Sequence, residues 1–287
     1  MTEPTGHQAQ TLAEIRDLLA AHGLAPNKAL GQNFLIDKNL VEKLCERARV
    51  SASETVFEVG PGTGTLTGQL LARGARVVAV ELARGLAELL RSRFAAEAEA
   101  GRFVLIEGDC LDRKSEVNRE AVAVLGDGPF KLVANLPYHA ATPLMLALMI
   151  SHPGCVSMHA TIQREVAERL AAAPGSKSYG SVSVVAACLM PARPFAGLPG
   201  ECFWPRPKVA SAMVELVRLE RPLTDDPAAL ADFCRRCFAG RRKQLGVVLR
   251  AMGREPAVWP AGIDRTMRIE ALSPTLIAAL EEATRPR

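Results

Sequence analysis

The stretch Val56-Phe-Glu-Val-Gly-Pro-Gly-Thr-Gly-Thr-Leu66 decides the fold. The first four residues form a mainly apolar pattern that favours a β-strand. Three glycines at alternate positions follow, and then residues at helical spacing. Glycines at such a turn let the main chain approach a nucleotide, because they lack the Cβ atom that would clash. The motif predicts a strand, a nucleotide-binding turn with Gly60 and Gly62, and a helix. A plain tight turn remains the alternative while the motif stands alone.

Short apolar runs alternate with helical patterns along the chain around this motif. The predicted strands are Val56–Val59, Arg76–Val80, Phe103–Ile106 and Leu132–Ala134, and the predicted helices lie near Leu66–Leu71, Leu86–Phe94 and Thr142–Met149. Strands that alternate with helices imply right-handed crossovers, and hence a doubly wound α/β domain with a mostly parallel sheet. A later run, Ser211–Leu219, predicts a strand that adds antiparallel at the edge of the sheet.

The chain is expected to form two domains. Arg221-Pro-Leu-Thr-Asp-Asp-Pro227 contains two prolines and no apolar period, so it predicts a linker. Residues 1–225 then form the α/β domain with an amino-terminal helical extension, which a capping box at Thr11–Glu14 begins. Residues 226–287 show only helical patterns and predict a small helical domain.

Composition and charge limit the class of protein. The 287 residues are 48% apolar and 23% charged, as in globular proteins. The longest apolar runs, such as Met145–Ile150, are too short to span a membrane, and the amino terminus lacks a signal-peptide pattern, so we expect a soluble cytoplasmic protein. The seven cysteines are scattered and predict reduced thiols. Cys234 and Cys237 form a lone CxxC, which favours two buried helical thiols over a metal site.

The excess positive charge lies in the last fifth of the chain. Residues 226–287 contain 11 basic and 7 acidic residues, whereas the remaining residues carry 24 of each. Seven of the basic residues follow one another with no acid between them: Arg235, Arg236, Arg241, Arg242, Lys243, Arg250 and Arg254. Such a run predicts contact with a polyanion, and a solvated helical face is the alternative.

Two acidic residues follow strands of the predicted sheet. Glu81 ends the second strand, where a carboxylate can accept hydrogen bonds from both ribose hydroxyls. Asp109 follows the third strand and could accept from an exocyclic amine. A helix-start acid and a turn residue are the respective alternatives. Because ligands of open α/β folds bind at the carboxyl edge of the sheet, glycines, Glu81 and Asp109 at three successive strand ends favour a bound nucleoside.

The fourth strand ends in Asn135-Leu-Pro-Tyr138, which suits a planar base. The exocyclic nitrogen of adenine is a poor nucleophile, because its lone pair is delocalised into the ring. If the Asn135 side-chain oxygen and the Leu136 carbonyl both accept from the amine, charge that develops on nitrogen is stabilised and the lone pair is directed at a methyl group. Tyr138 would stack on the base. The alternative is a buried turn, with Asn135 as a helix cap and Tyr138 in the core.

A second aromatic loop, Phe203-Trp-Pro-Arg-Pro-Lys-Val-Ala-Ser211, could supply the opposite stacking face through Phe203. Arg206 and Lys208 in this loop suit phosphate contacts. An ordinary proline-stiffened loop is the alternative.

Six motifs together resemble the rRNA adenine N6,N6-dimethyltransferases, specifically the bacterial KsgA/RsmA group. They are Leu30–Leu35, Glu58–Thr67, Asn135–Tyr138, Gln163–Arg169, Ser176–Gly180 and Phe203–Ser211. The resemblance implies a Rossmann-like methyltransferase that uses S-adenosylmethionine. It also implies methylation of two adjacent adenosines in the 3′-terminal hairpin of 16S rRNA, in a small-subunit precursor particle, by a monomer without a metal.

The resemblance also implies roles for single residues. Asn33 and Leu35 would close over the cofactor, Gly60 would line its methionine side, Glu81 would hold the ribose and Asp109 the adenine. Asn135 would contact both cofactor and target, and Tyr138 and Phe203 would sandwich the flipped base. Arg241-Arg-Lys243 agrees with the rRNA-facing segment of the family. His139 stands where the family usually has Asn, and altered hydrogen bonding around the site is expected from it.

Three alternatives remain open at this point. A related enzyme that methylates large-subunit rRNA usually has Ile where Leu136 stands. A second alternative is a ribosome-assembly factor whose catalysis is secondary or lost, and the intact set of site residues argues against loss. A nicotinamide oxidoreductase is opposed by Thr65, where the dinucleotide fingerprint requires glycine.

Overall fold

The fold is that of a computed structural model, which describes residues 10–27, 30–113 and 116–285. The ends of both predicted domains, residues 1–9 and 286–287, lie outside the described residues. The strands are β1 Phe34–Leu35, β2 Thr55–Val59, β3 Arg76–Glu81, β4 Phe103–Glu107, β5 Leu111–Arg113, β6 Glu116–Val117, β7 Phe130–Asn135, β8 Cys155–Gln163, β9 Ala192–Leu198, β10 Phe203–Trp204 and β11 Ser211–Val217. The helices are α1 Leu12–Ala21, α2 Lys38–Ala48, α3 Thr65–Ala72, α4 Arg84–Arg93, α5 Ala95–Glu99, α6 Arg119–Leu125, α7 Tyr138–Ser151, α8 Arg164–Leu170, α9 Ser181–Leu189, α10 Pro227–Ala239, α11 Leu245–Ala251 and α12 Pro274–Thr284.

Seven strands form the central sheet in the order β4-β3-β2-β7-β8-β11-β9. The first five are parallel, and β11 runs antiparallel to β8. The predicted doubly wound, mostly parallel α/β class is therefore confirmed. The chain leaves β2 toward β3 and β4 on one side, then returns to β7 on the other. This reversal opens a crevice between the carboxyl ends of β2 and β7, where ligands of such folds bind.

Within the central sheet, the sequence patterns missed two strands, β8 and β9, and misplaced a third. β11 is not at the sheet edge, because β9 pairs with it on the outer side. β9 contains Pro194 and Gly197, which both weaken a strand signal; proline is tolerated there because the strand is an edge strand with a bulge at Phe195. β8 was not predicted because buried His159 and Thr161 interrupt its apolar run.

Two hydrophobic clusters cover the two faces of the sheet. One contains Val56 and Val77 together with residues of α1 to α4, and the other contains Phe57 and Leu132 together with residues of α7 and α9. The second cluster continues without a break into the carboxyl-terminal helices, since it also includes Phe233 of α10 and residues of α11 and α12. The domain boundary at residues 225 and 226 stays a prediction.

The cysteine prediction is confirmed for the CxxC. Cys234 and Cys237 are buried free thiols in α10, and burial raises the pKa of Cys237 to about 12. Among the described residues, none of the helices is long and apolar enough to cross a membrane.

Candidate functional site

A cavity opens in the crevice between β2 and β7. Nine of the residues predicted for the cofactor and the target base line it: Asn33, Leu35, Gly60, Gly62, Glu81, Asp109, Asn135, Leu136 and Tyr138. They come from residues 33–35 at β1, from the carboxyl ends of β2, β3, β4 and β7, and from the start of α7. The structure therefore brings together residues that lie more than 100 positions apart in the chain, as the strand order requires.

The glycine turn forms the floor of the cavity. Gly60, Gly62 and Gly64 have φ angles of +69°, +62° and +82°, which residues with a Cβ rarely adopt. A Cβ on Gly60 would lie 3.2 Å from the Pro137 ring, and one on Gly62 would lie 3.0 Å from the Phe34 ring. These glycines thus allow the two walls of the cavity, as well as a ligand, to approach the main chain.

Glu81 is held by the main chain around the glycine turn. Its Oε2 accepts from the Gly62 amide at 3.2 Å, and its Oε1 accepts from the Ala83 amide at 2.9 Å. Burial raises the pKa of this carboxyl, and the main-chain hydrogen bonds oppose that rise. Each carboxylate oxygen has a further lone pair, so the group can accept from the two hydroxyls of a ribose.

Asp109 lies at the exposed rim of the same cavity. Its Oδ1 accepts from the Leu111 amide at 3.0 Å, and its main-chain oxygen accepts from the Asn118 side chain at 2.9 Å. The first bond holds the carboxyl near the end of β4 through Oδ1, and Oδ2 takes no part in it. The second bond holds the main chain of Asp109. The position suits an acceptor for the amine of a bound adenine.

Glu58 is a site residue that the sequence analysis quoted but gave no role. It lines the cavity, is 1% exposed, and accepts a hydrogen bond of 2.7 Å from the Thr67 hydroxyl. Burial raises its pKa to about 8, with a smaller contribution from the charge on Glu81. The signal available in the sequence was an acid next to the end of an otherwise apolar strand, directly before the glycine turn.

The Asn135 side chain is oriented by a bond to the opposite wall. Its Nδ2 donates to the main-chain oxygen of Asn33 at 2.9 Å, and the Asn33 side chain donates to the Gly31 oxygen at 2.8 Å. The amide oxygen of Asn135 is therefore the end that remains for a ligand. Among the described residues, no main-chain N–H donates to the Leu136 carbonyl, which is the second predicted acceptor.

The reading of Asn135–Tyr138 as a capped, buried turn is wrong. Pro137 is the residue that precedes α7, and no side chain caps that helix. Tyr138 is half-buried and lines the cavity, and its hydroxyl shares a hydrogen bond of 2.6 Å with the Ser211 Oγ. The ring is thus anchored at its far end, with its face available to a flat ligand.

Phe203 is the predicted site residue that the structure does not bring into the cavity. It is 3% exposed, pairs with Leu35 across β1 and β10, and belongs to a hydrophobic cluster. Its burial follows from this pairing, which the local sequence pattern does not reveal. The neighbouring Trp204 instead stacks on Phe34, with ring centroids 6.3 Å apart.

Some of the predicted RNA-contacting residues form ion pairs with nearby acids, and others are exposed with no ion pair to any residue that the structure describes. Arg206 forms an ion pair of 2.7 Å with Glu201, and Lys208 is exposed. Asp232 lies 2.5 Å from Arg235 and 3.8 Å from Arg236.

The Arg241-Arg-Lys243 segment is divided between two environments. Arg241 is half-buried, pairs with Glu270 at 2.7 Å and donates to the Lys177 oxygen. Arg242 and Lys243 are exposed, and in the part of the chain that the structure describes neither has an acid within ion-pair distance. Asp232 pairs with the basic run from just before it, and Glu270 pairs with Arg241 from 29 positions away, so the charge pattern alone overstated its free positive charge.

The sequence is similar to one protein family over most of its length. The family described as ribosomal RNA adenine dimethylase matches residues 23–285. A "Ribosomal RNA small subunit methyltransferase A" of Magnetococcus marinus is 40% identical over 276 residues, which covers 95% of this chain and 96% of that protein. The protein of the same name from Streptomyces coelicolor is 38% identical over 291 residues, which covers 98% of this chain and 99% of that protein.

Solved structures resemble the fold. A dimethyladenosine transferase from Plasmodium falciparum has a TM-score of 0.68 at 20% identity, covering 86% of this chain and 95% of that one. The 23S rRNA methyltransferase ErmE has a TM-score of 0.64 at 22% identity, and the match covers 88% of this chain and 100% of that one.

Proposed function

The chain belongs to the ribosomal RNA adenine dimethylase family, and from that premise we propose that it methylates N6 of two adjacent adenosines in the 3′-terminal hairpin of 16S rRNA. The relatives that match nearly the whole chain carry the small-subunit name, which supports this substrate over large-subunit rRNA. Family membership also opposes a nicotinamide oxidoreductase. The protein acts as a monomer on a small-subunit precursor particle in the cytoplasm.

The cavity residues fit S-adenosylmethionine. The glycine turn has no Cβ atoms at Gly60 and Gly62, where the main chain faces the cavity. Glu81 would hold the ribose hydroxyls, Asp109 the adenine amine, and Leu35 would cover the ligand. When bound, this cofactor would supply a methyl group carried by a positively charged sulfur, which would leave as a neutral thioether once its bond to the methyl carbon breaks.

The single observation that carries the proposal is the orientation of the Asn135 amide. Because Nδ2 donates to the Asn33 oxygen, Oδ1 can accept from the amine of a target adenine. The Leu136 carbonyl would accept the second amine hydrogen. Two acceptors stabilise the positive charge that develops on nitrogen as it bonds to the methyl carbon, by an electrostatic effect worth about a hundredfold or more in rate. The amine proton then passes to water, so a strong base is not required.

Methyl transfer to small-subunit particles tests the proposal. Particles from a strain that lacks the gene are incubated with the purified chain and S-adenosylmethionine labelled in the methyl group. We expect label in 16S rRNA and a new stop to primer extension at two adjacent adenosines, because dimethylated adenine blocks pairing. The same assay is run on large-subunit particles from that strain, and label found only in their rRNA would contradict the proposed substrate.

A further inference from the structure

The amino-terminal segment touches the cavity from outside. Residues 10–22 lie before the stretch that the family model matches, and the sequence analysis gave them no role in the site. α1 begins at a capping box on Thr11, and its Ile15 and Leu19 are buried in the same hydrophobic cluster as Phe34 and Leu35. The helix therefore packs on the same hydrophobic cluster as the wall of the cavity that would cover the cofactor.

Gln10 contacts the glycine turn directly. Its side chain is 8% exposed, and its Oε1 accepts from the Thr63 hydroxyl at 2.8 Å and from the Thr65 hydroxyl at 2.7 Å. Thr63 and Thr65 flank Gly64 and line the cavity. One side-chain oxygen thus joins two residues of the turn on which the cofactor would lie.

Arg16 of α1 contacts the opposite wall. Its guanidinium lies 5.1 Å from the centroid of the Trp204 ring, which stacks on Phe34. Phe34 in turn packs against Gly62, where a Cβ would come within 3.0 Å of its ring. The segment therefore reaches the glycine turn by two independent routes, one polar and one through stacked rings.

The physical need for such tethers follows from the turn itself. Gly60, Gly62 and Gly64 have positive φ angles, and glycine loses more conformational freedom on ordering than any other residue. A turn that is ordered before the ligand arrives binds it more tightly, because the ordering cost is not subtracted from the affinity. We propose that Gln10 and Arg16 are positioning residues that order the glycine turn and the β1–β10 wall for the cofactor. This inference rests on the proposed function, since it takes S-adenosylmethionine as the ligand.

The test compares two substitutions of Gln10 in the full chain. Gln10→Met keeps the length of the side chain and removes the acceptor, whereas Gln10→Glu keeps an oxygen that can accept from both threonines. Asp17→Ala, at an exposed position of the same helix, is the matched control. Binding of S-adenosylhomocysteine is measured by calorimetry, kcat and KM by methyl transfer, and amide hydrogen exchange is followed in residues 60–68 without ligand.

We expect Gln10→Met to bind S-adenosylhomocysteine about threefold to tenfold more weakly, because the cost of ordering the glycine turn is then subtracted from the affinity. Its KM for S-adenosylmethionine should rise by the same factor with kcat unchanged, and its glycine turn should exchange faster. Gln10→Glu and Asp17→Ala should resemble the wild type, and Arg16→Ala should weaken binding through the second route.

The inference would be overturned if Gln10→Met bound S-adenosylhomocysteine as tightly as the wild type and its residues 60–68 exchanged at the wild-type rate, even if its melting temperature fell. Failure of the wild-type chain itself to bind S-adenosylhomocysteine would count against the proposed function instead. The exchange measurement would still decide the role of Gln10 in that case, because it uses no ligand: faster exchange in Gln10→Met supports the tether, and equal exchange overturns it.

Discussion

The side-chain amide of Asn135 donates to the main-chain oxygen of Asn33 over 2.9 Å, although the two residues are 102 positions apart in the chain. The bond joins the end of β7 to the loop before β1, on opposite sides of the cavity. It also decides which end of the amide faces a ligand, because the nitrogen is already engaged. The Asn135 side chain thus does two things at once: its nitrogen joins the two sides of the cavity, and its oxygen faces the ligand as an acceptor.

Replacement of Asn135 should abolish most catalysis without unfolding the protein. Asn135→Ala removes the acceptor, and we expect methyl transfer at saturating substrates to fall by about a hundredfold to a thousandfold. Asn135→Asp should also be impaired, because it loses the donor to Asn33 and places a carboxylate near that carbonyl. Labelled methyl incorporation measures both. Asn39→Ala, at an exposed position of α2, is the control, and full activity in Asn135→Ala would contradict the mechanism.

Glu58 should make stability depend on pH. Its pKa in the folded protein is about 8, raised from 4.5 by burial. Between these values the folded state holds a proton that the unfolded state has released, so stability falls as pH rises from about 4.5 to about 8 and levels off above. Glu58→Gln has no such proton and can still accept from Thr67. We expect its free energy of unfolding to match that of the wild type near pH 4.5 and to exceed it by about 1.4 kcal/mol more for each pH unit toward pH 8.

Urea unfolding of the two proteins at a series of pH values measures this effect. The difference in the free energy of unfolding should grow steadily across the interval. A constant difference from pH 4.5 to pH 8 would mean that Glu58 ionises in the folded protein at an ordinary pKa.

The parts of the site that were predictable from sequence depend on local patterns. β2 and the glycine turn follow from neighbouring residues, and Glu81 and Asp109 stand at or just after the ends of β3 and β4. The order of the parallel strands then forces these residues to one edge. The apolar period and the turn chemistry are short-range signals, so they survive in a single sequence.

The parts that were not predictable depend on contacts between distant segments. The pairing of Leu35 with Phe203 buries a ring that looks exposed in its loop, and Glu270 neutralises Arg241 from 29 positions away. The acceptor role of Gln10 requires a partner 53 positions on. No local period marks such pairs, because only the tertiary fold brings them together.

The two predicted stacking residues should respond differently to substitution. Tyr138→Phe keeps the ring and loses only the bond to Ser211, so activity should stay near the wild type. Tyr138→Ala removes the stacking face, and KM for the RNA substrate should rise by about fivefold to a hundredfold, since stacking on one base is worth about 1–3 kcal/mol. Phe203→Ala should lower stability by about 3–5 kcal/mol, because the ring is buried.

Thermal melting beside the kinetic assay separates the two effects. Tyr138→Ala should melt close to the wild type, whereas Phe203→Ala should melt well below it. A stable Phe203→Ala protein that has lost methyl transfer would restore Phe203 to the target site, where the sequence placed it.

Among Arg241, Arg242 and Lys243, we expect the first to be structural and the other two to contact RNA. Arg242 and Lys243 are exposed, so the double substitution to alanine should leave the melting temperature unchanged. It should weaken binding to small-subunit particles and reduce the slope of log affinity against log salt by about 2, since each phosphate contact contributes about 1. Arg241→Ala should instead lower the melting temperature, because it leaves the half-buried Glu270 without its partner. If the double variant kept the wild-type salt slope, the phosphates would have to bind elsewhere, and the exposed Lys208 would become the next residue to replace.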